Sequence, residues 1–172
     1  MNDGEMNAGK LMGIAGAYWP SFTLHAAVRL DLFTLLDEEP LTGEEMAHRL
    51  GGDERGVRTL LNALTAMGLL IKSDGVFTNT PHSRKFLTKN SPEYAGYMIL
   101  HQYHLVESWH RLEEAVLTGK PTRAKAAIRG EEKREAFLMG MFNVAMGLAS
   151  RAVKEIDLAG RKHLLDMGVR DR

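Results

Sequence analysis

The chain has 172 residues, 44% hydrophobic and 26% charged, a length suited to one domain or two small subdomains and a composition that supports a core rather than disorder. Its 22 basic and 22 acidic residues cancel, which removes the overall field a general nucleic-acid binder needs. Cysteine is absent, excluding disulfides, thiolate metal sites and a cysteine nucleophile, and no apolar run approaches the roughly 18 residues of a membrane span or a signal core, so a soluble, cytoplasmic chain is expected.

From Leu11 to Leu36 the pattern is helical, with Pro20 and Ser21 separating a short helix from a longer one that starts at Phe22. In that longer helix Phe22, Ala26, Leu30 and Phe33 form one apolar stripe and Leu24, Val28, Leu32 and Leu35 another, leaving only a narrow polar sector with His25 and Arg29. A helix apolar on two sides needs two partners, its own core and a second subunit. Residues 1–40 therefore read as dimerisation helices.

Residues 41–90 have a different texture. Thr42 with Glu45 is a capping-box pattern opening a helix that stops at Gly51-Gly52. Asp53 caps the next helix, whose Val57, Leu60, Leu61, Leu64 and Met67 make a single stripe before Gly68. Leu69 to Ile71 and Val76 to Thr78 are β-prone runs joined by Ser73-Asp74-Gly75, where Asp-Gly favours a tight hairpin turn. Helix, helix and two-stranded wing is the winged-helix order, followed by a short helix near Ser83 to Leu87.

Over 91–158 two long helices are expected, from about Glu93 to Leu117 and from about Glu132 to Ile156, separated by Gly119-Lys120-Pro121 and a solvated basic stretch with Arg123, Lys125 and Arg129. The second is again apolar on two sides, through Phe137, Met141, Val144, Leu148 and Ala152, and through Leu138, Phe142, Ala145, Ala149 and Val153. Gly140 and Gly147 are nearly aligned and would admit a close helix or a flat ligand. The remainder, 159–172, holds a strand-like run from His163 to Gly168.

The histidines and carboxylate at His101, His104, Glu107 and His110 recur every third residue. Steps of three drift around a helix, so the four do not converge on one ion, and no metal site is expected. Arg55, Arg58, Asn62 and Thr65 line the polar face of the second winged helix and could read base edges. Against that, Asp53, Glu54 and Asp74 stand where phosphates would lie.

The order of these features resembles the plant-type and bacterial small-molecule O-methyltransferases that use S-adenosylmethionine. The resemblance rests on the run Phe22 to Phe33, on Leu41-Thr42-Gly43-Glu44-Glu45-Met46-Ala47, on Leu60-Leu61-Asn62-Ala63-Leu64 with Gly68-Leu69-Leu70, and on Phe77-Thr78-Asn79-Thr80, Ser83, Phe86-Leu87, Trp109, Leu112, Gly119-Lys120-Pro121 and Phe137. It implies a mainly α-helical winged-helix dimerisation domain with long flanking helices, working as a homodimer with no nucleic-acid or membrane partner. It also implies an acceptor-pocket wall, to which Trp109, His110, Phe137 and Met141 are assigned.

Leu164-Leu165-Asp166-Met167-Gly168 resembles the first strand and opening turn of the family's cofactor-binding domain, which leaves Asp166 and Gly168 as a remnant of the S-adenosylmethionine site. Val169 to Arg172 supply no further glycines, and a second domain needs on the order of 100 residues. The expectation is that this chain alone neither binds the cofactor nor transfers a methyl group, and that it carries no catalytic residue. The alternatives are a winged-helix transcription regulator and a non-catalytic pairing module.

Overall fold

The computed structural model describes residues 6–122, 130–157, 159–163 and 165. Chain order is α1 (Ala8–Ala15), α2 (Tyr18–Arg29), α3 (Leu32–Glu38), β1 (Leu41–Thr42), α4 (Gly43–Leu50), α5 (Glu54–Ala66), β2 (Leu70–Ser73), β3 (Val76–Asn79), α6 (Pro81–Leu87), α7 (Gly96–Trp109), α8 (Leu112–Thr118) and α9 (Glu131–Glu155). The mainly α winged-helix architecture expected from the sequence is the one observed.

The winged helix is fixed by local chemistry. Thr42 accepts from the Glu45 N–H while the Glu45 carboxylate accepts from the Thr42 N–H at 2.7 Å, the reciprocal capping box that opens α4. Those hydrogen bonds to Thr42, backbone first, hold the Glu45 carboxyl below its usual pKa. Asp53 caps α5 through the Gly56 N–H at 2.8 Å. Asp74 and Gly75 both have positive φ, 51° and 82°, the turn in which two residues join strands with matching twist. The strands pair antiparallel in the order β1-β3-β2, with Ser73 opposite Val76 and Leu41 opposite Phe77. Strand β1 was not anticipated, since two residues carry no period of their own. Phe33, Leu36, Met46, Leu61, Leu64 and Phe77 close the core beneath this sheet.

Two expected helices are broken. The longer N-terminal helix starts at Tyr18, not Phe22, so Pro20 lies in its first turn, where a missing N–H costs nothing. It then stops at Leu30, and Asp31 adopts the left-handed conformation with φ 57° before α3. On one continuous helix Ala27, Val28, Leu32, Phe33 and Leu36 would spread over about 240° of the circumference at about 100° per residue. The kink turns all five into one core. An ion pair from Lys89 to Asp31 at 2.8 Å braces it. His25, read as part of the polar sector, is buried.

The helix expected from Glu93 to Leu117 starts at Gly96 and divides at His110-Arg111. The Ser108 carbonyl, which would accept from Leu112 in a continuous helix, accepts instead from the Arg111 N–H at 3.3 Å and from Thr122 Oγ1 at 3.2 Å. That exchange ends the ladder.

Helix α9 packs along α7 through Ala136, Phe137, Gly140 and Asn143. Gly140 lies so close that an added Cβ would sit 3.2 Å from the backbone N and Cα of Met98. Asn143 Nδ2 donates to the Tyr94 carbonyl at 2.5 Å and pins the other end of the seam. Gly147 has open space instead, so only one of the two aligned glycines serves close approach. The strand expected near residues 163–168 falls mostly outside the described residues, as does the Arg123, Lys125 and Arg129 stretch.

Gly140→Val should force the two helices apart at Met98 and lower stability by roughly 1–3 kcal/mol, measured by urea unfolding. A variant as stable as the parent protein would mean the seam is loosely packed.

Candidate functional site

Among the clefts that flank the α7–α9 seam, two have mainly apolar walls. One, of about 560 Å3, is lined by Phe86, Tyr94, Met98, Gly140, Phe142 and Asn143 among others. Tyr94 is buried there, and burial, reinforced by the charge of Asp31 and by Tyr97, pushes its phenol up to about 12. The other, of about 570 Å3, lies between α2, α7 and the start of α9, with Phe22, Tyr103, His104, Glu107, His110 and Lys133 on its walls.

Behind the second cleft is a chain of aromatic rings. Tyr18, Phe22, His25 and Tyr103 follow one another edge to face at centroid spacings of 5.7–6.4 Å. Arg29 closes it, with its guanidinium carbon 4.4 Å from the Tyr103 ring centroid and Nη1 donating to Tyr103 Oη at 3.0 Å. Two imidazole atoms in this cluster, His25 Nδ1 and His104 Nε2, are buried without a hydrogen-bond partner. Glu132 Oε1 approaches His104 Nε2 only to 3.9 Å, beyond hydrogen-bond reach. Burial lowers the pKa of both rings, and for His104 the attraction of Glu132 is opposed by Lys133 and Arg29.

The four residues assigned to an acceptor wall are only partly brought together. His110 lines the α2–α7–α9 cleft. Phe137 lies on the seam, its ring 5.1 Å from that of His101. Met141 is 40% exposed and Trp109 67% exposed, and neither lines either cleft. Asp166 and Gly168 lie outside the described residues. Sequence reasoning missed Phe22, Tyr103 and Lys133 as cleft residues. Phe22 and Tyr103 meet only because α2 crosses α7, a tertiary fact with no local signal.

The histidine ladder does not converge: His101 turns to Phe137, His104 is half-buried, and Glu107 and His110 are exposed. Among the described residues no group of three or more His, Cys, Asp or Glu could hold a metal ion. The stripe on α5 that could read DNA is largely engaged at home. Arg58 pairs with Glu54, Asn62 accepts from Lys72 Nζ at 2.9 Å, and Thr65 donates to the Leu61 carbonyl.

What remains conspicuous is uncovered apolar surface. Helix α1 buries no residue, and Leu11, Met12 and Ile14 are exposed. On α9 Leu138, Phe142, Met146, Leu148 and Val153 are each more than half exposed. Both apolar stripes anticipated on this helix are thus exposed, half-buried Phe137 and Ala149 apart, while Ala136 and Gly140 fill the seam. Among the described residues no helix is long and apolar enough to cross a membrane.

Fold and surface define a winged-helix module with appended helices whose apolar flanks are uncovered among the described residues. Residues 12–89 match the family model of the O-methyltransferase dimerisation domain, and the chain carries that domain. It is 31% identical over 164 residues to 3-hydroxy-5-methyl-1-naphthoate 3-O-methyltransferase of Streptomyces sahachiroi, which covers 92% of this chain and 48% of that relative. Among solved structures, an O-methyltransferase family protein from Burkholderia thailandensis superposes with a TM-score of 0.80 at 29% identity, over 91% of this chain and 48% of that one. Human N-acetylserotonin methyltransferase, solved in complex with SAM, superposes with a TM-score of 0.76 at 25% identity, over 92% and 51%. The chain spans about half the length of the relatives it matches. The family resemblance drawn from the order of sequence features is borne out.

S-adenosylmethionine does not find a fitting site among the described residues. Their one sheet is three-stranded and antiparallel, whereas nucleotide-type cofactors sit at the carboxyl ends of parallel strands beside a glycine-rich turn. No step through that compound is assigned to them.

Buried His25 and half-buried His104 set a pH dependence. Below about pH 6.5 the unfolded chain takes up protons that the folded one, with its depressed histidine pKa values, resists. Their contribution is therefore complete above 6.5 and is lost as the pH falls toward the folded values. Between about pH 8 and pH 5.5 the melting temperature should fall, and by less in His25→Phe. Equal pH profiles for the two proteins would exclude His25 as a source.

Proposed function

We propose that this chain provides the subunit-pairing and acceptor-facing part of an S-adenosylmethionine-dependent O-methyltransferase that acts, as a homodimer, on a small aromatic or apolar hydroxylated molecule. The observation that carries the proposal is the dimerisation-domain match over residues 12–89 on a protomer whose α1 and α9 leave their apolar flanks in water. Covering those flanks would remove apolar area from water at roughly 25 cal/mol per Å2, a gain that works against the freedom two protomers lose on association.

The acceptor class is supported by the Streptomyces sahachiroi relative, whose name specifies a hydroxylated naphthoate, and by the aromatic lining of the α2–α7–α9 cleft. Trp109, His110, Phe137 and Met141 are proposed to face that acceptor. Exposure of Trp109 and Met141 in one protomer leaves them free to complete a wall once a second surface closes on them. S-adenosylmethionine, when bound, supplies the methyl group; the groups that hold it and the base for the acceptor hydroxyl are proposed to lie outside the described residues. The internally satisfied polar stripe of α5 favours neither nucleic acid nor a regulator's role, and no membrane partner is proposed.

Light scattering on the purified chain should return a dimer. Leu138→Glu with Phe142→Glu should shift it to monomer at micromolar concentration with its helical content retained. A wild-type monomer that remains soluble would overturn the pairing. Titration with S-adenosylmethionine should give no saturable micromolar binding, and a clear isotherm would place the cofactor site within this chain.

A further inference from the structure

Away from α7, helix α9 carries a gradient of side-chain size and of charge that the protomer itself does not use. At about 100° per residue, Leu138, Phe142, Ala145, Ala149 and Val153 lie within about 40° of the direction opposite Gly140, the residue that meets Met98 on α7. Leu138, Phe142 and Val153 are each more than half exposed, Ala145 is exposed and Ala149 half-buried. Along this face the large pair, Leu138 and Phe142, comes first and the small pair, Ala145 and Ala149, follows. Charge is graded as well. Residues 131–135 hold three carboxylates and two cations, with Glu131 and Glu132 in the first turn. Residues 151–155 hold Arg151 and Lys154 against Glu155.

A gradient of size complements a copy of itself only when the copy is reversed. We infer that, in the homodimer proposed above on which this pairing rests, α9 packs antiparallel on α9 of a second copy, about a two-fold axis midway between the levels of Phe142 and Ala145. Phe142 of each protomer then lies over the partner's Ala145, and Leu138 over the partner's Ala149. Each large side chain fills the space above a methyl group, the knob-and-hole fit by which helices pack closely. A parallel pairing in register would set Phe142 on Phe142 and Ala145 on Ala145, crowding one layer and leaving a void in the next. It would also gather both acidic ends together. The antiparallel pairing brings Glu131 and Glu132 to the end that carries the partner's Arg151 and Lys154, and it opposes the two helix dipoles. The seam with α7 is undisturbed, because Ala136, Gly140 and Asn143 occupy the other side of the helix. Contact of one surface with itself also closes at two copies, so no open chain of protomers forms.

The absence of cysteine makes disulfide mapping of the purified chain unambiguous. A disulfide needs Cα atoms within about 7 Å, and antiparallel pairing leaves like positions, 138 with 138 or 149 with 149, roughly 16 Å apart along the axis. The protein carrying both Leu138→Cys and Ala149→Cys should therefore be captured as a covalent dimer on oxidation with copper–phenanthroline. Neither substitution alone, nor Lys120→Cys on the exposed loop after α8, should give one. Exchange of sizes is an independent check by light scattering. Phe142→Ala and Ala145→Phe should each weaken dimerisation by about tenfold or more, and the two together should restore it. A wild-type dimer in which the double-cysteine protein is not captured, in which Leu138→Cys alone is captured, or in which the exchanged pair gives no recovery would overturn this register and leave subunit pairing intact. A wild-type monomer would overturn both.

Discussion

The close approach of α9 to α7 at Gly140 and Met98 is the constraint on which the remaining organisation depends. A helix has one circumference to distribute. Placing Ala136, Gly140 and Asn143 inward brings two backbones together, but it turns the leucines, methionines and Phe142 on either side outward. The usual arrangement, large apolar residues in the core and small or polar ones outside, is inverted on α9. The protomer satisfies its internal packing with small residues and leaves its large ones available for another surface. The proposed pairing would draw on this surface together with that of α1.

The winged helix plays a different part. Its caps, hairpin turn and core are satisfied within the protomer, and the stripe on α5 that such folds can turn toward DNA is tied down by Glu54 and Lys72. It acts as a rigid block carrying α2 and α3. Helix α2 in turn supplies Phe22 to the wall of the cleft against α7, and His25 and Arg29 to the aromatic cluster behind it. The cleft therefore joins the self-sufficient part of the molecule to the part that is not.

Legibility in the sequence followed the range of the forces involved. The capping box at Thr42 and Glu45, the Asp53 cap and the Asp74-Gly75 turn act within a few residues, and each was readable and was found. The breaks at Asp31 and His110 were not readable. The first exists because five apolar residues must reach one core, and the second because Thr122 takes a carbonyl from fourteen residues away. Burial of His25 was hidden for the same reason, since a polar residue on a helix gives no local sign that an aromatic cluster will close over it. The candidate site was the least legible part. Trp109, His110, Phe137 and Met141 lie along the sequence pattern, whereas Phe22, Tyr103 and Lys133 share a cleft only through the meeting of α2, α7 and α9.

The anchoring of α9 has a mechanical consequence. It runs for 25 residues, and among the described residues its last hydrogen bond to the rest of the protomer is that of Asn143 to the Tyr94 carbonyl, with Met146 and Gly147 still on the cleft wall beyond it. The eight residues from Leu148 to Glu155 extend the helix roughly 12 Å further. A tilt of about 10° there carries the far end through about 2 Å on that geometry. Where the tip comes to rest is dictated by whatever leans on it from outside.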